Sequence, residues 1–341
     1  MKIFQNKFVS GALVALLVLS ATCNALAQED VSDLKDAPTS TVTSPEVTAE
    51  NWLAKMSHAM RALNYSVSLV LLTPGNDAQP YLWLHGVNDE GVELEQLNLL
   101  NGPGREVVRI GNKVSYFEPN VPPYSLESSI INSPLPSDFF RYPEKLKDGY
   151  DFFMIGRSRI SGRAAQQIRV LSKDKSRYGL NLWLDQETGL LLKLNMFSLE
   201  SELIKQIQVT GLNVTDKPDG FFSKIENSML PEVISYQPKS LSNSDWEITY
   251  LPLGMKIVKR DLHRLSGTGK TVEYIMLSDG LVDVSVYLQD FKGDEPIQNL
   301  VGKVESDTLL TIQQGTLNVT VIGKIPAETA NRIATSIQSV H

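Results

Sequence analysis

Ser172-Lys173-Asp174-Lys175 has the Ser-x-x-Lys spacing that sets an amine beside a serine nucleophile, as in penicillin-interacting enzymes. That chemistry also needs a later Lys-Thr-Gly, which does not follow. The four residues fall between two strand-like runs, where a solvated polar turn is expected. Gly269-Lys270-Thr271 matches the end of a phosphate-cradling loop, but Arg264 stands where the opening glycine belongs and no strand-to-helix setting surrounds it. The four histidines, His58, His85, His263 and His341, have no metal-ligand spacing, and no Gly-x-Ser-x-Gly elbow exists. His58 is expected on the wet side of a helix and His85 at a strand end. An esterase or peptidoglycan enzyme would need a nucleophile and base that these residues do not assemble. The expectation is a binding protein with no catalytic residue, metal or cofactor.

Composition supports a folded chain: 42% hydrophobic and 21% charged residues are near globular averages. The first 27 residues read as a secretory signal, with Lys2 and Lys7 before the apolar run Gly11 to Ala21 and Ala25-Leu26-Ala27 before Gln28. Its removal leaves 314 residues, roughly two domains' worth, and 30 basic against 39 acidic residues, a net charge of −9. That balance argues against nucleic acid. The lone cysteine, Cys23, lies in the removed segment, so the mature chain forms no disulfide and no thiolate site. Lipid modification of Cys23 is the rival reading, but Ser20 and Thr22 suit a lipoprotein cleavage box poorly. No later segment reaches the length of apolar sequence that a membrane helix needs. An exported, cysteine-free chain points to the periplasm.

Residues 28–47 are rich in Asp, Ser, Thr and Pro without periodicity and read as a flexible leader. Thr48 is placed to cap a helix in which Trp52, Leu53, Met56, Ala59, Met60 and Leu63 recur at helical spacing. Ten short strand runs follow between Tyr65 and Val214, punctuated by turns such as Asn88-Asp89-Glu90-Gly91 and Thr188-Gly189. With no long helical pattern between them, they predict one large antiparallel sheet, curved around a helix.

The strands Tyr81 to Leu84 and Leu190 to Phe197 are apolar on both faces, whereas a sheet with one wet side alternates. Both faces therefore need cover. In an open barrel such residues either fill the core or line an apolar cavity, and Trp83, Tyr116, Phe117, Trp183, Leu192 and Leu194 are the candidates for contact with a hydrophobic ligand. Between Pro119 and Pro143 a long loop carries six prolines with Tyr124, Phe139, Phe140 and Tyr142. It is expected to be either a lid over the open side or a stiffened crossover.

The polar, turn-rich stretch 216–245 is expected to be a linker. It would divide a large domain, 48–215, from a small α+β domain, 246–341, which holds five strand runs and a helix opened by Pro326.

The runs Gly102 to Arg109, Gly111 to Pro119 and Phe152 to Arg163 resemble the periplasmic sigma-E regulator family RseB/MucB. So do Leu251 to Gly254, Leu277 to Leu281 and Val321 to Ala334, in the same order along the chain. The resemblance implies a mainly β (α+β) fold: a large LolA-like unclosed antiparallel β-barrel with a helical plug, plus the smaller α+β domain. It also implies negative regulation of envelope stress signalling. On that pattern the partner is the periplasmic domain of a membrane anti-sigma factor of the RseA/MucA type, shielded from proteolysis until lipopolysaccharide or lipoprotein acyl chains are sensed. The resemblance implies no catalytic residue, identifies no partner-binding residue, and is compatible with a homo-oligomer. The alternative is a lipoprotein carrier of the LolA type, which would not need the second domain.

Overall fold

Helix α1 (Ala49–Ala62) begins where Thr48 accepts the Asn51 backbone N–H on its hydroxyl at 3.2 Å, satisfying one of the donors that a helix start leaves open. Leu53, Met56, Ala59 and Met60 lie on its buried side, as their spacing requires. Burying each of the larger ones is worth roughly 1.5–3 kcal/mol. The structure is a computed structural model that describes residues 48–225, 229–234, 244–264, 271–290, 299–304 and 306–340. The expected signal peptide (1–27) and leader (28–47), with Cys23, and also Gly269, Lys270 and His341, lie outside the described residues.

Eleven strands form one antiparallel sheet: β1 (Asn64–Leu72), β2 (Gln79–Val87), β3 (Glu93–Leu99), β4 (Arg105–Ile110), β5 (Lys113–Phe117), β6 (Tyr124–Glu127), β7 (Tyr150–Ile160), β8 (Arg163–Ser172), β9 (Gly179–Asp185), β10 (Leu191–Phe197) and β11 (Leu203–Thr215). The order is β6-β5-β4-β3-β2-β1-β11-β10-β9-β8-β7, so two meanders meet where β1 pairs with β11. The edges β6 and β7 do not pair with each other, which leaves the barrel unclosed. α1 shares one core with the sheet, through Leu182, Leu184, Leu192 and Leu194 among others, and so acts as the expected plug.

Between the edge strands the proline-rich loop forms the short helix α2 (Ser137–Arg141) and a 3-10 turn (Pro143–Asp148). Phe139 and Phe140 are buried in the core, and Ser57 in α1 donates to the Arg141 carbonyl at 2.8 Å. The loop is therefore a packed crossover. Residues 231–234, within the expected linker, lie along β6: Ser125 pairs with Val233, and Ile234 N–H donates to the Ser125 carbonyl at 2.8 Å.

A second sheet runs β13 (Lys256–Arg264), β14 (Thr271–Ser278), β15 (Asp283–Asp290), β18 (Leu317–Gly323), β17 (Asp307–Gln314) and β16 (Leu300–Val304) in spatial order. Helix α3 (Ala327–Thr335) buries Ala330, Ile333 and Ala334 against it. β12 (Trp246–Ile248) pairs with β19 (Ile337–Ser339) beside that helix. β13 and β16, which sequence periodicity does not reveal, are the two edges of this sheet; Ile257, Val258, Val301 and Val304 on them are exposed.

Candidate ligand cavity and the seam between the sheets

Cross-strand register aligns Trp83, Leu97, Val107, Tyr116 and Tyr124 in a row on one face of the large sheet. Alternation along β9 and β10 brings Leu180, Leu182 and Leu194 to the same interior. Where α1 ceases to cover this face, a cavity of about 730 Å³ remains. That is within the usual range of small-molecule sites. Leu97, Val107 and Tyr116 form one wall, and Leu180, Leu194 and Met196 the other.

Residues 128–136 of the crossover loop close one side of the cavity. They are held by short-range bonds, Ser128 Oγ to the Ile130 carbonyl at 2.8 Å and Ser133 Oγ to the Leu135 carbonyl at 3.0 Å. Lys205 on β11 donates to the Pro134 carbonyl at 2.8 Å. Burial pushes the Tyr116 hydroxyl up, against a hydrogen bond with the Asn132 backbone. The loop is thus both lid and crossover. The opposite rim comes from the second sheet: Gly280 to Asp283 in the β14–β15 turn, with Ser306, Asp307 and Lys324.

Beside the cavity the two sheets are joined by a buried polar seam. Arg177, with a fully buried side chain, donates from Nη2 to the carbonyls of Leu253 at 2.8 Å and Gly149 at 3.2 Å. Its Nε lies 3.4 Å from Asp279 Oδ2, and its guanidinium sits 4.7 Å from the Tyr150 ring centre. The Tyr150 hydroxyl donates to the same Asp279 oxygen at 2.8 Å, and burial followed by that carboxylate pushes it well above the ordinary tyrosine range. Asp174 Oδ2 accepts the Leu253 N–H at 2.8 Å. Burial opposes ionisation of Asp174, but this bond and those from Ser172 and Ser176 hold its carboxyl well below the carboxylate range. At Gly149 a Cβ would lie 2.6 Å from the Leu253 carbonyl oxygen, so only glycine permits the approach.

Of the residues expected to contact a ligand, Tyr116 and Leu194 line the cavity. Trp83 shares their face but lies buried in the core, edge-on to Tyr65 at 6.2 Å. Leu192 is also fully buried in that core. Phe117 follows Tyr116 and points to the opposite face, opposite Glu106. Trp183 pairs with Lys193, whose amine lies 5.1 Å from its ring, on the face away from Leu182. His85 is not at a strand end: it is buried within β2, stacked on Tyr65 at 4.9 Å, with Nδ1 2.7 Å from the Leu63 carbonyl. His58 is exposed on α1. The Ser172 to Lys175 turn is more than solvated, since its Asp174 binds the second sheet's leading segment. Sequence periodicity missed Tyr150, Arg177, Asp279 and Leu281, although Asp279-Gly280-Leu281 stands out as a turn followed by an apolar residue.

Residues 48–234 match the MucB/RseB N-terminal domain and residues 240–338 the MucB/RseB C-terminal domain. The sigma-E factor regulatory protein RseB of Escherichia coli (strain K12) is 30% identical over 84% of this chain and 89% of its own length. The sigma factor AlgU regulatory protein MucB of Pseudomonas aeruginosa is 28% identical over 85% of this chain and 90% of its own. The crystal structure of MucB in complex with MucA(peri) has 25% identity and a TM-score of 0.69, covering 85% of this chain and 98% of that one. A crystal structure of MucB with the same identity and coverage gives a TM-score of 0.55. Two consecutive domain matches in the family's order, with relatives aligned along nearly their whole length, place this chain in the MucB/RseB family of sigma-factor regulatory proteins.

Proposed function

We infer that this chain is a periplasmic negative regulator of a sigma-E-type envelope stress response. It binds the periplasmic part of a membrane anti-sigma factor, shields it from regulated proteolysis, and releases it when acyl chains of lipopolysaccharide or mislocalised lipoprotein enter the cavity. The chain works by binding and not by catalysis, and reaches the periplasm by means of residues 1–27. The observation that carries the lipid-sensing part is the cavity itself, in which the apolar side chains of Leu97, Val107, Tyr116, Leu180, Leu194 and Met196 are flanked by Arg105 and Lys205 on the large sheet and by a rim from the second. A ligand there touches both halves of the molecule, so its binding can bias how they meet. An acyl chain gains about 0.8 kcal/mol for each methylene it buries. Tyr116 and Leu194 are the residues assigned to that contact. Linkage makes the effect reciprocal: if lipid weakens partner binding by some factor, partner weakens lipid binding equally.

The test is titration of an anti-sigma periplasmic segment with and without saturating lipopolysaccharide, scored also by protection of that segment from its first protease. Tight binding and protection that lipid removes are expected. Equal affinity in both conditions would leave a passive carrier of the LolA type, and no binding at all would remove the regulatory reading.

A further inference from the structure

The β14–β15 turn carries two side chains across the seam in opposite chemical roles. Leu281 packs against the cores of both sheets and forms part of the cavity rim. Asp279, two residues earlier, has its side chain almost fully buried between Tyr150 and Arg177 of the large-sheet half. The other Asp279 oxygen accepts the N–H groups of Leu281 at 2.9 Å and Val282 at 2.8 Å, which fixes the turn's shape. Gly280 takes φ +88°, a conformation that brings the chain round sharply enough for both neighbours to face the large sheet. One rigid turn therefore couples a polar pin to an apolar insert.

We propose that Leu281 is a built-in plug at the rim of the cavity, covering its apolar wall residues and held in place by the Asp279 pin, and that an acyl ligand competes with it. The proposal rests on the reading of the cavity as a lipid site and adds the element through which that site is regulated. Leu281 supplies from the second sheet the apolar cover that a hydrocarbon chain would supply. A chain long enough to fill the cavity to its rim must displace it. Because Asp279 shapes the turn by hydrogen bonds to Leu281 and Val282, the insert cannot retract while the pin stays docked. Retraction withdraws Asp279 from Tyr150 and Arg177, opening the seam between the sheets. A packed insert with a paired charge has two arrangements and no stable intermediate, which suits a switch. Ligand entry is thereby converted into movement of the second sheet.

The mature chain lacks cysteine, so a donor–acceptor pair can be placed on Asp89→Cys and Glu328→Cys, both exposed, one on each half. An anthroyloxy-labelled stearate, a chain long enough to reach the rim, serves as the probe, with its uptake and the interlobe energy transfer measured together. In the wild-type background, probe uptake should change the transfer efficiency. Leu281→Ala should take up probe about tenfold more tightly, with little change in transfer, because nothing has to be displaced. Leu281→Phe should take it up more weakly. Asp279→Asn should tighten uptake with Leu281 intact. Wild type and Leu281→Ala binding the probe equally, or with the same change in transfer, would overturn the plug and leave the lipid site standing. No uptake by any of these proteins would overturn the lipid site and the plug together.

Discussion

The Tyr150 hydroxyl and Asp279 Oδ2 are 2.8 Å apart although 129 residues separate them in the chain, and their hydrogen bond joins the first residue of β7 to the turn after β14. Both groups are buried, and Arg177 stacks on the tyrosine ring while its Nε faces the same oxygen. A hydrogen bond to a charged acceptor contributes about 1.5–3 kcal/mol. Tyr150→Phe keeps the ring under Arg177 and should lower stability by about that amount, read from urea unfolding midpoints. Asp279→Asn leaves the buried Arg177 guanidinium with Asp174, 3.7 Å away, as its remaining counter-charge, and should cost more than Tyr150→Phe because it weakens the ion pair and the Tyr150 bond together. The double variant should fall short of the sum, since the two share one bond. Full additivity would show that the pair acts independently.

Acid should destabilise the protein in two separate windows. Burial lowers the His85 pKa, with Glu95 and the Leu63 carbonyl opposing, and leaves Nε2 without a hydrogen-bond partner among the described residues. A group depressed in the folded state contributes its full stability above its unfolded pKa, about 6.5 for histidine, and loses it as the pH falls towards the folded value. Stability should therefore decline as the pH falls below about 6.5, and His85→Gln should flatten that slope while lowering the plateau. Asp174, Glu93 and Asp185 are also depressed, and their contributions are lost only below about pH 4. Asp174→Asn should lower the neutral plateau and flatten the lower window, leaving the slope of the upper one unchanged. Unfolding midpoints measured across pH 3–8 check both, and a His85→Gln profile parallel to wild type would exclude His85 as the source of the first.

Three of the four aromatic residues named as ligand candidates separate by position in ways that substitution can read. Trp83→Asp places a carboxylate in the core beside Tyr65 and should prevent folding, because an isolated buried charge has no compensating partner. Trp183→Glu, on the other face of β9 beside Lys193, should fold and bind lipid as wild type does. Tyr116→Asp, in the cavity wall, should weaken lipid uptake more than tenfold in the protein that folds. Circular dichroism separates unfolding from lost binding. A Trp183→Glu protein that is folded but fails to take up lipid would move the site to the outer face.

The helix that plugs the sheet was legible because Thr48 and the spacing of Leu53, Met56 and Met60 are local signals, confirmed in the cap and buried side of α1. Strands with one covered face were legible for the same reason. β13 was not: Lys259, Arg260, Asp261 and His263 interrupt any alternation, because an edge strand with a wet face has little apolar pattern to show. β16 is similarly exposed along most of its length. Apolarity marked Tyr116 and Leu194 as candidates but could not tell them from Trp83 and Leu192, since wall and core are made of the same residue types. What distinguishes them is where α1 stops covering the sheet, a tertiary fact. Arg177 and Asp279 read locally as surface turn residues, and only the meeting of two sheets buries them.

The stretch 216–245 offers a last test, of whether the two sheets belong to separately folding units. Part of it is already committed to the large sheet: Pro231 accepts a hydrogen bond from Ser125 Oγ at 2.7 Å, and Ile234 N–H donates to the Ser125 carbonyl. Beyond that point the sequence Ser235 to Ser244 is polar apart from Leu241 and two ring side chains, so it has little apolar surface to bury. Proteases cut where backbone is neither buried nor hydrogen-bonded. Limited trypsin digestion is therefore expected to cleave first at Lys239 and to leave two resistant fragments. The fragments should stay associated at neutral pH, because Arg177, Tyr150, Asp174 and Leu281 still bridge them. Separating them on a sizing column should require Asp279→Asn or acid that protonates Asp174. Early cleavage within β2 to β5 would show that the large sheet does not fold as one unit. Immediate dissociation of nicked wild-type protein would show that the seam contributes little to holding the halves together.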